Sequence, residues 1–332
     1  MTSAWHDVLR QFGARVDAER VVDFGDPPAE RLAAATASVL ADLSPFSVLD
    51  ISGADAPSFL QGQLTCDVTA IVPERASLGA YCSPKGRMLA DFFLAQAGDD
   101  RFFMVLPREL AEPIRRRLQM FVLRSKVQIV DATPSLVLLG MSGPDARAAL
   151  ESLHPVWRLV MEMPGRRFIA GIAAQEAPAA WKSLAALLRP VGTPCWEWLD
   201  IRNGIPIILK ATQDTLVPQM ANLELLGGVS FDKGCYTGQE VVARSQHLGR
   251  VKRRMFLAKL SGDAAPQAGD ELYSDDLGNQ ASGLVVNAQL SPASGYDLLA
   301  VAQVASKEHS VVRHKSPSGP ALQFMPMPYE LR

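Results

Sequence analysis

The sequence predicts an α+β fold: two related α+β units followed by a C-terminal all-β barrel. Three observations carry this. A strand–turn–helix pattern occurs twice, offset by ninety positions (Ser52 to Ser142). Inside the first copy, strands joined as a hairpin stand beside a helix with apolar residues at helical spacing. Beyond Gly249 the texture changes to short strand-like runs separated by Gly, Ser, Asp and Pro clusters. A chain of 332 residues has room for two or three domains with sizeable cores. The expected boundaries are 1–133, 134–250 and 251–332.

The elements follow in order. Asp26-Pro27-Pro28 predicts an N-cap and first turn for a helix over Ala29 to Leu43, ended by Ser44-Pro45. Phe46 to Ile51 reads as a short buried strand, and Asp55 as the cap of the helix that carries Phe59 and Leu60. The repeat aligns Leu49 with Leu139, Ser52 with Ser142, Gly53 with Gly143, Asp55 with Asp145 and Leu60 with Leu150. These positions fall where strand, turn and cap each demand particular residues. The pattern reads as an internal repeat; the plainer alternative is that two common strand–turn–helix signals coincide. Leu78 to Ser83 and Met88 to Ala95 form a hairpin about Pro84-Lys85-Gly86-Arg87, followed by a strand over Arg101 to Leu106. Pro107 opens a helix with Leu110, Ile114, Leu118 and Phe121 on one face. Arg167 to Ile172 is a strand, Ala177 to Leu188 a helix, and Trp196 to Arg202 a helix ending at Asn203-Gly204. The last domain has strands at Val251–Leu260, Glu271–Tyr273, Ala281–Ala288 and Leu298–Ala305.

Composition excludes several classes. A net charge of −2 gives no global attraction to nucleic acid or anionic membrane. No apolar run is long enough to span a bilayer, and the opening residues lack a signal-peptide pattern, so a cytoplasmic location is expected. The four cysteines, Cys66, Cys82, Cys195 and Cys235, form no C-x-x-C pair, and the five histidines show no metal-ligand spacing. No disulfide framework and no stable metal site is expected. Any iron–sulfur cluster handled here would need ligands from a partner.

The densest chemistry lies in Phe231-Asp232-Lys233-Gly234-Cys235-Tyr236-Thr237-Gly238-Gln239-Glu240. Thr237 and Glu240 have capping-box spacing, which starts a helix at Gly238 and runs it to about Gln246, with a stop at Gly249. Cys235 then precedes the positive end of a helix, beside Lys233, and both effects favour thiolate. Each residue also has a plainer role: Glu240 as a cap, Tyr236 as a core aromatic, Cys235 as a small buried hydrophobe. The basic cluster Arg244, Arg250, Lys252, Arg253 and Arg254 reads either as a solvated face or as a clamp for an anionic tail or RNA backbone.

The run Pro218-Gln219, Asn222-Leu223, Leu226-Gly227-Gly228, Ser230-Phe231, Lys233 to Glu240 and Val242-Ala243-Arg244 resembles the signature of the YgfZ family. Those proteins are folate-binding relatives of the glycine-cleavage T-protein, an aminomethyltransferase, and include factors that help mature iron–sulfur proteins. The resemblance covers roughly Phe46 to Arg254. It implies a T-protein-like fold of three domains around an opening that binds folate, with tetrahydrofolate or a derivative as cofactor. It implies Cys235 as the working thiol within the motif Lys233, Gly234, Tyr236, Thr237, Gly238, Gln239 and Glu240.

The resemblance also carries folate contacts onto this chain. Trp196 and Phe46 fall on family aromatic positions; a Trp196 that is plain core is the competing reading. Arg202 stands where relatives carry a carboxylate suited to the pterin edge, with Asp200 as a substitute. Asp91 falls near the T-protein aspartate that positions the folate nitrogen, without the paired Gly and Asp. Apart from the resemblance, the basic residues Arg244, Arg250 and Lys252, read as an anion clamp, would hold the folate tail. The implied function is a folate-binding accessory protein for iron–sulfur assembly or repair, including in tRNA-modifying enzymes, with those clients or assembly proteins as partners. A tetrahydrofolate-dependent aminomethyltransferase comes second. An RNA-binding module comes third, disfavoured by near-neutral charge and the lack of a basic–aromatic pattern.

Overall fold

The computed structural model describes residues 2–72, 75–247, 251–262 and 265–331. Along the chain lie α1 (Thr2–Gln11), β1 (Arg15–Asp17), β2 (Arg20–Asp23), α2 (Pro27–Thr36), β3 (Val39–Asp42), β4 (Phe46–Ser52), α3 (Ala56–Gln61), β5 (Ser77–Cys82), β6 (Met88–Gly98), β7 (Arg101–Pro107), α4 (Arg108–Val122) and β8 (Gln128–Asp131). Then come β9 (Leu136–Ser142), α5 (Ala146–Glu151), β10 (Leu159–Met163), β11 (Arg167–Ala173), α6 (Ala177–Leu184), β12 (Arg189–Val191), α7 (Thr193–Arg202) and α8 (Gln239–His247). The rest holds β13 (Arg253–Leu260), β14 (Glu271–Ser274), β15 (Ala281–Leu290), β16 (Tyr296–Gln303), α9 (Val304–His309), β17 (Val312–His314) and β18 (Gln323–Met325).

Two compact units alternate along the sequence. Unit 1 comprises Met1–Phe59, Ala70–Ser77 and Phe93–Leu199; unit 2 comprises Leu60–Thr69, Leu78–Phe92 and Asp200–Arg332.

Unit 1 contains the repeat. In the first copy β4 lies between β7 and β8, and β6 from Phe93 onward pairs with the far side of β7. In the second, β9 has β11 on one side, with β10 beyond it. Apart from the extra strand β5 of the first copy, both follow the β-α-β-β-α-β order in which the first strand ends up central. The copies also differ in the slot beside that central strand. The place beside β9 that corresponds to β8 is taken by β3 from the N-terminal region, and β12 pairs parallel with β3 beyond it.

The repeated Ser-Gly-x-Asp has one physical cause in both copies. Gly53 and Gly143 have φ of +125° and +111°. A Cβ on Gly53 would strike the Lys126 carbonyl, and one on Gly143 would come within 2.6 Å of the Ser38 Cα. Lys126 and Ser38 each lie just before the strand that fills the shared slot. The aspartates clasp the same segments: Asp55 accepts from the Lys126 N–H (2.7 Å), and Asp145 from the Ser38 hydroxyl (2.8 Å). The expectation that Asp55 caps α3 is therefore corrected, because its carboxylate is spent on the neighbouring strand.

A second correction concerns the helix expected over Ala29 to Leu43. Asp26 does cap it, accepting from the Ala29 N–H, but α2 ends at Thr36. Val39–Asp42 is a strand buried on both faces, and the slot between β9 and β12 outweighs the helical propensity of the alanine run. Around this sheet Trp181 is fully buried, edge-on to Trp5 (5.8 Å) and stacked on Phe24 (5.7 Å).

Unit 2 contains the hairpin of β5 and the first half of β6, closed by a turn at Ser83–Arg87. It also contains a curled antiparallel sheet of order β17-β14-β15-β16-β13-β18. All four predicted strands of the last domain fall in that sheet. The strand expected through Ala305 stops at Gln303, where α9 begins.

Candidate functional site

In unit 2 the Lys233–Glu240 stretch is a turn with a buried underside and an open top. Lys233 points inward. Its buried ammonium donates to the carbonyls of Leu64 (2.7 Å) and Cys66 (2.6 Å) and lies 5.4 Å from the centre of the Tyr236 ring. Burial holds its pKa below the usual lysine value, while Cys66 and Asp67 pull the other way. Thr65 anchors that floor. Its hydroxyl donates to the Gly228 carbonyl (2.6 Å) and accepts from the Ala80 N–H (2.8 Å), and its carbonyl accepts from Ser230 N–H (2.9 Å). The expectation of Lys233 beside the Cys235 thiol is corrected: the cation is committed to two carbonyls below the turn.

The glycines have separate tasks. Gly238 has φ +84°, and a Cβ there would come 2.5 Å from the Ser83 carbonyl. Gly86, at φ +69°, lies against the Val241 side chain, where a Cβ would come 2.8 Å from the Val241 Cβ. The Ser83–Arg87 turn thus packs directly on the start of α8. Among the described residues nothing comes within 4 Å of where a Gly234 Cβ would be, so that glycine serves the open side. The helix begins close to where the sequence predicts, but the Thr237–Glu240 capping box does not form among the described residues. Backbone bonds from Gln239 N–H to Tyr236 C=O (3.1 Å) and from Val242 N–H to Gly238 C=O (3.3 Å) open it instead. The Gln219 amide donates to the Val242 carbonyl (2.6 Å) and ties the helix down.

Cys235 is exposed, whereas Cys66, Cys82 and Cys195 are buried. Burial pushes the Cys82 and Cys195 thiols up to about 12. Tyr236 is buried, its hydroxyl has no partner among the described residues, and burial raises its pKa above the usual phenol value.

Also in unit 2, Asp91 is buried on β6. Its Oδ1 accepts from the Ile208 N–H (2.8 Å), and its Oδ2 has no hydrogen-bond partner among the described residues. Burial pushes the carboxyl up to about 7; the Ile208 amide opposes this and the charge of Asp200 adds to it. Asp200 is itself buried near the end of α7. Arg202 is exposed and reaches toward Asp297 (3.9 Å) and the Met325 sulfur (3.7 Å). Sequence reasoning missed the residue that fastens this helix end. The Tyr329 hydroxyl donates to the Gly204 carbonyl (2.8 Å) and accepts from the Asn222 amide (3.4 Å). Asn222 carried a signal, since asparagine tolerates its left-handed φ of +56°; Tyr329 carried none.

In unit 1, Trp196 is 1% exposed. Its ring lies on Gly140 of β9, where a Cβ would come 2.5 Å from Cε3, and the Arg167 guanidinium sits 4.1 Å from the ring centre. Arg167, absent from the sequence-based candidates, is fully buried with it. Phe46 is buried at the start of β4 and lines a small cavity of about 30 Å³ with Trp5, Ser44 and Arg108.

Of the cations, Arg244 on α8 and Lys252 are exposed, and Arg250 lies outside the described residues. Arg254 is engaged with Glu224 (2.7 Å) and Asn222 (3.2 Å). Among the described residues no group of three or more His, Cys, Asp or Glu could hold a metal ion, and no helix is long and apolar enough to cross a membrane.

Residues 9–162 match the GCVT N-terminal domain family. A solved structure of glycine cleavage system aminomethyltransferase T from Bartonella henselae shares the fold, with a TM-score of 0.81 at 18% identity over 98% of this chain and 97% of that one. The tRNA-modifying protein YgfZ of Escherichia coli O127:H6 is 32% identical over 320 residues, covering 92% of this chain and 98% of that protein. The protein of the same name from Edwardsiella ictaluri is 33% identical over 298 residues, covering 85% and 89%. Similarity at this level across nearly the whole length places the chain in the YgfZ family.

Proposed function

We propose that this protein is a folate-binding accessory factor that supports iron–sulfur cluster assembly or repair, including in enzymes that modify tRNA, and works in the cytoplasm. The observation that carries the reading is the turn in unit 2. A buried lysine and two close-packed glycines hold its base, and Cys235 is left open to solvent. A thiol so placed can offer one ligand to a cluster, or attack a sulfur or metal centre held by a client. The cluster is cargo, and the partner supplies the remaining ligands. The names of the relatives, tRNA-modifying proteins, support clients that modify tRNA.

For folate the fit divides. Asp91 suits it: a carboxyl held up at about 7, with one oxygen unpartnered among the described residues, can donate to or accept from a pterin nitrogen. The stacking half fits less well. Trp196 is packed on Gly140 and Arg167, and Phe46 faces a cavity far smaller than a pterin. Asp200, Arg244 and Lys252 remain the candidates for the pterin edge and the anionic tail; Arg202 is drawn toward Asp297. Titration calorimetry with tetrahydrofolate tests this. Binding that weakens at least tenfold in Asp91→Asn, with the unfolding curve showing that the variant is folded under the binding conditions, is expected; no binding by the parent protein, or equal binding by the variant, refutes it.

The unpartnered Asp91 oxygen also favours a second reading, aminomethyl transfer to tetrahydrofolate. Because the exposed Cys235 has no task in that reaction, no release of methylene-tetrahydrofolate from an aminomethylated lipoyl carrier is expected. Robust release that collapses in Asp91→Asn would reverse the ranking.

A further inference from the structure

After α7, unit 2 contains a segment, Ile205 to Leu209, that is neither helix nor strand. Side chains meet its backbone groups instead. Ile207, Ile208 and Leu209 donate their N–H groups in succession to Asn287 Oδ1 (2.9 Å), Asp91 Oδ1 (2.8 Å) and the Thr212 hydroxyl (3.1 Å). Asn287 also donates from Nδ2 to the Ile207 carbonyl (2.9 Å). One amide side chain thus holds both polar groups of one residue, as a strand partner would. Further along, the Asp214 N–H donates to the Met88 carbonyl (2.8 Å) and the Gln213 amide to the Leu89 carbonyl (2.7 Å), which fastens the following residues to β6. The Ile207 backbone itself is held by Asn287.

A local break in the sheet makes this contact. β15 pairs Val285 with Ala300 and then Asn287 with Leu299, so Val286 is an extra, bulged residue. In an unbroken strand Asn287 would share the face of Val285, which packs in the apolar core of the sheet. The bulge turns it off that face. The consequence reaches Asp91 through covalent geometry. The Ile207 carbonyl and the Ile208 N–H belong to one planar peptide unit. Whatever orients that carbonyl also orients the donor that Asp91 Oδ1 accepts from. With Oδ1 so engaged, Oδ2 is the oxygen left without a partner among the described residues. The charged group that bears on Asp91 from a neighbouring element is Asp200 on α7. It raises the Asp91 pKa, while the Ile208 N–H lowers it.

We propose that Asn287 is a positioning residue for Asp91: by holding the Ile207–Ile208 peptide plane it aims the Ile208 N–H at Oδ1 and keeps Oδ2 available to a ligand. That the ligand is a pterin nitrogen rests on the folate reading; the aim of the carboxyl does not. The test therefore reads Asp91 without folate. Carboxyl carbon-13 NMR of the aspartate-labelled full chain is titrated from about pH 5 to about pH 9, with the Asp91 signal assigned by its loss in Asp91→Asn. Asn287→Leu keeps the size of the side chain and removes both amide bonds. Its Asp91 midpoint should rise by about 0.5 or more on the pH scale, because a hydrogen bond to the ionised form is weakened. Asn287→Ala carries the same expectation where the leucine variant does not fold. Ser282→Ala removes a different bond made by β15, from the buried Ser282 hydroxyl to the Leu272 carbonyl (3.1 Å). It should lower stability and leave the midpoint in place. An unchanged or lower midpoint in the Asn287 variants, or an equal rise in Ser282→Ala, overturns the proposal. A raised midpoint in Asn287→Leu alone, beside a parent protein that does not bind tetrahydrofolate, would defeat the folate reading and leave this one standing.

Discussion

Trp196 in unit 1 and Cys235 in unit 2 stand out in the sequence on similar grounds, each a side chain with distinctive chemistry in a segment that resembles a family site. Their surroundings are opposite. Trp196 is enclosed by Gly140 and the Arg167 guanidinium, with 1% of its surface exposed. Cys235 is exposed in the middle of a turn whose flanks are anchored, by Lys233 before it and Gly238 after it. In the first case a glycine makes room for the side chain; in the second, glycines make room for the backbone and leave the side chain outside. Glycine beside an aromatic therefore signals packing, and glycine within a clamped turn signals presentation.

If the contrast is right, stability should respond most at Trp196. Trp196→Ala should cost about 3–5 kcal/mol in urea unfolding, as expected for truncating a large core aromatic. A variant that unfolds like the parent and loses only tetrahydrofolate affinity would place Trp196 in a ligand slot.

Asp91 is enclosed like Trp196 but titrates. Its carboxyl is pushed from 3.8 to about 7, so the neutral form is favoured in the folded protein. The stabilising contribution of that proton is full below pH 4, falls as pH rises, and is gone above about pH 7. A shift of about three pKa units corresponds to on the order of 4 kcal/mol. Asp91→Asn should flatten the stability profile between pH 4 and 7 and be the more stable protein at pH 8. An unchanged slope would mean that Asp91 ionises as freely folded as unfolded.

Lys233 is the buried half of the second region. Lys233→Met keeps the length of the side chain and strands the Leu64 and Cys66 carbonyls, at a cost of about 1–3 kcal/mol. Loosening the base should also change the rate at which Cys235 is labelled. A fully stable variant with unaltered labelling would show that the clamp does not hold the turn.

Much of this architecture was legible in the sequence. The repeat was, because Gly53, Asp55, Gly143 and Asp145 meet the same close approach of a neighbouring strand in each copy. What those aspartates bond was not, because Lys126 and Ser38 are distant in sequence. The sequence reads as helix through β3 because Ala33 to Ala35 favour helix, while the strand slot is made by β9 and β12, far along the chain. At the candidate site, the motif turn and the α8 start were visible. The direction of Lys233 was not, since nothing local marks the Leu64 and Cys66 carbonyls as its acceptors. Trp196 was visible as a large aromatic and its enclosure was not, because Gly140 and Arg167 come from two separate strands.

The smallest effect on stability, and the one that most sharpens the contrast, belongs to Cys235. Its side chain is exposed, so Cys235→Ser should leave the unfolding free energy within about 0.5 kcal/mol of the parent. Iodoacetamide at neutral pH should label Cys235 in the folded protein. Cys66, Cys82 and Cys195 should react only on unfolding, because all three are buried, and the latter two also have thiols pushed up to about 12. Serine is a poor ligand for iron and a poor nucleophile toward sulfur. In cells that lack the protein, stable Cys235→Ser should therefore fail to restore iron–sulfur enzyme activity, while Gly234→Ala, a change on the same open side, should restore most of it. Two results count against Cys235 as the working group: another cysteine labelled first, or full complementation by the serine variant. Loss of activity in Gly234→Ala equal to that in Cys235→Ser would shift the role from the thiol to the shape of the turn.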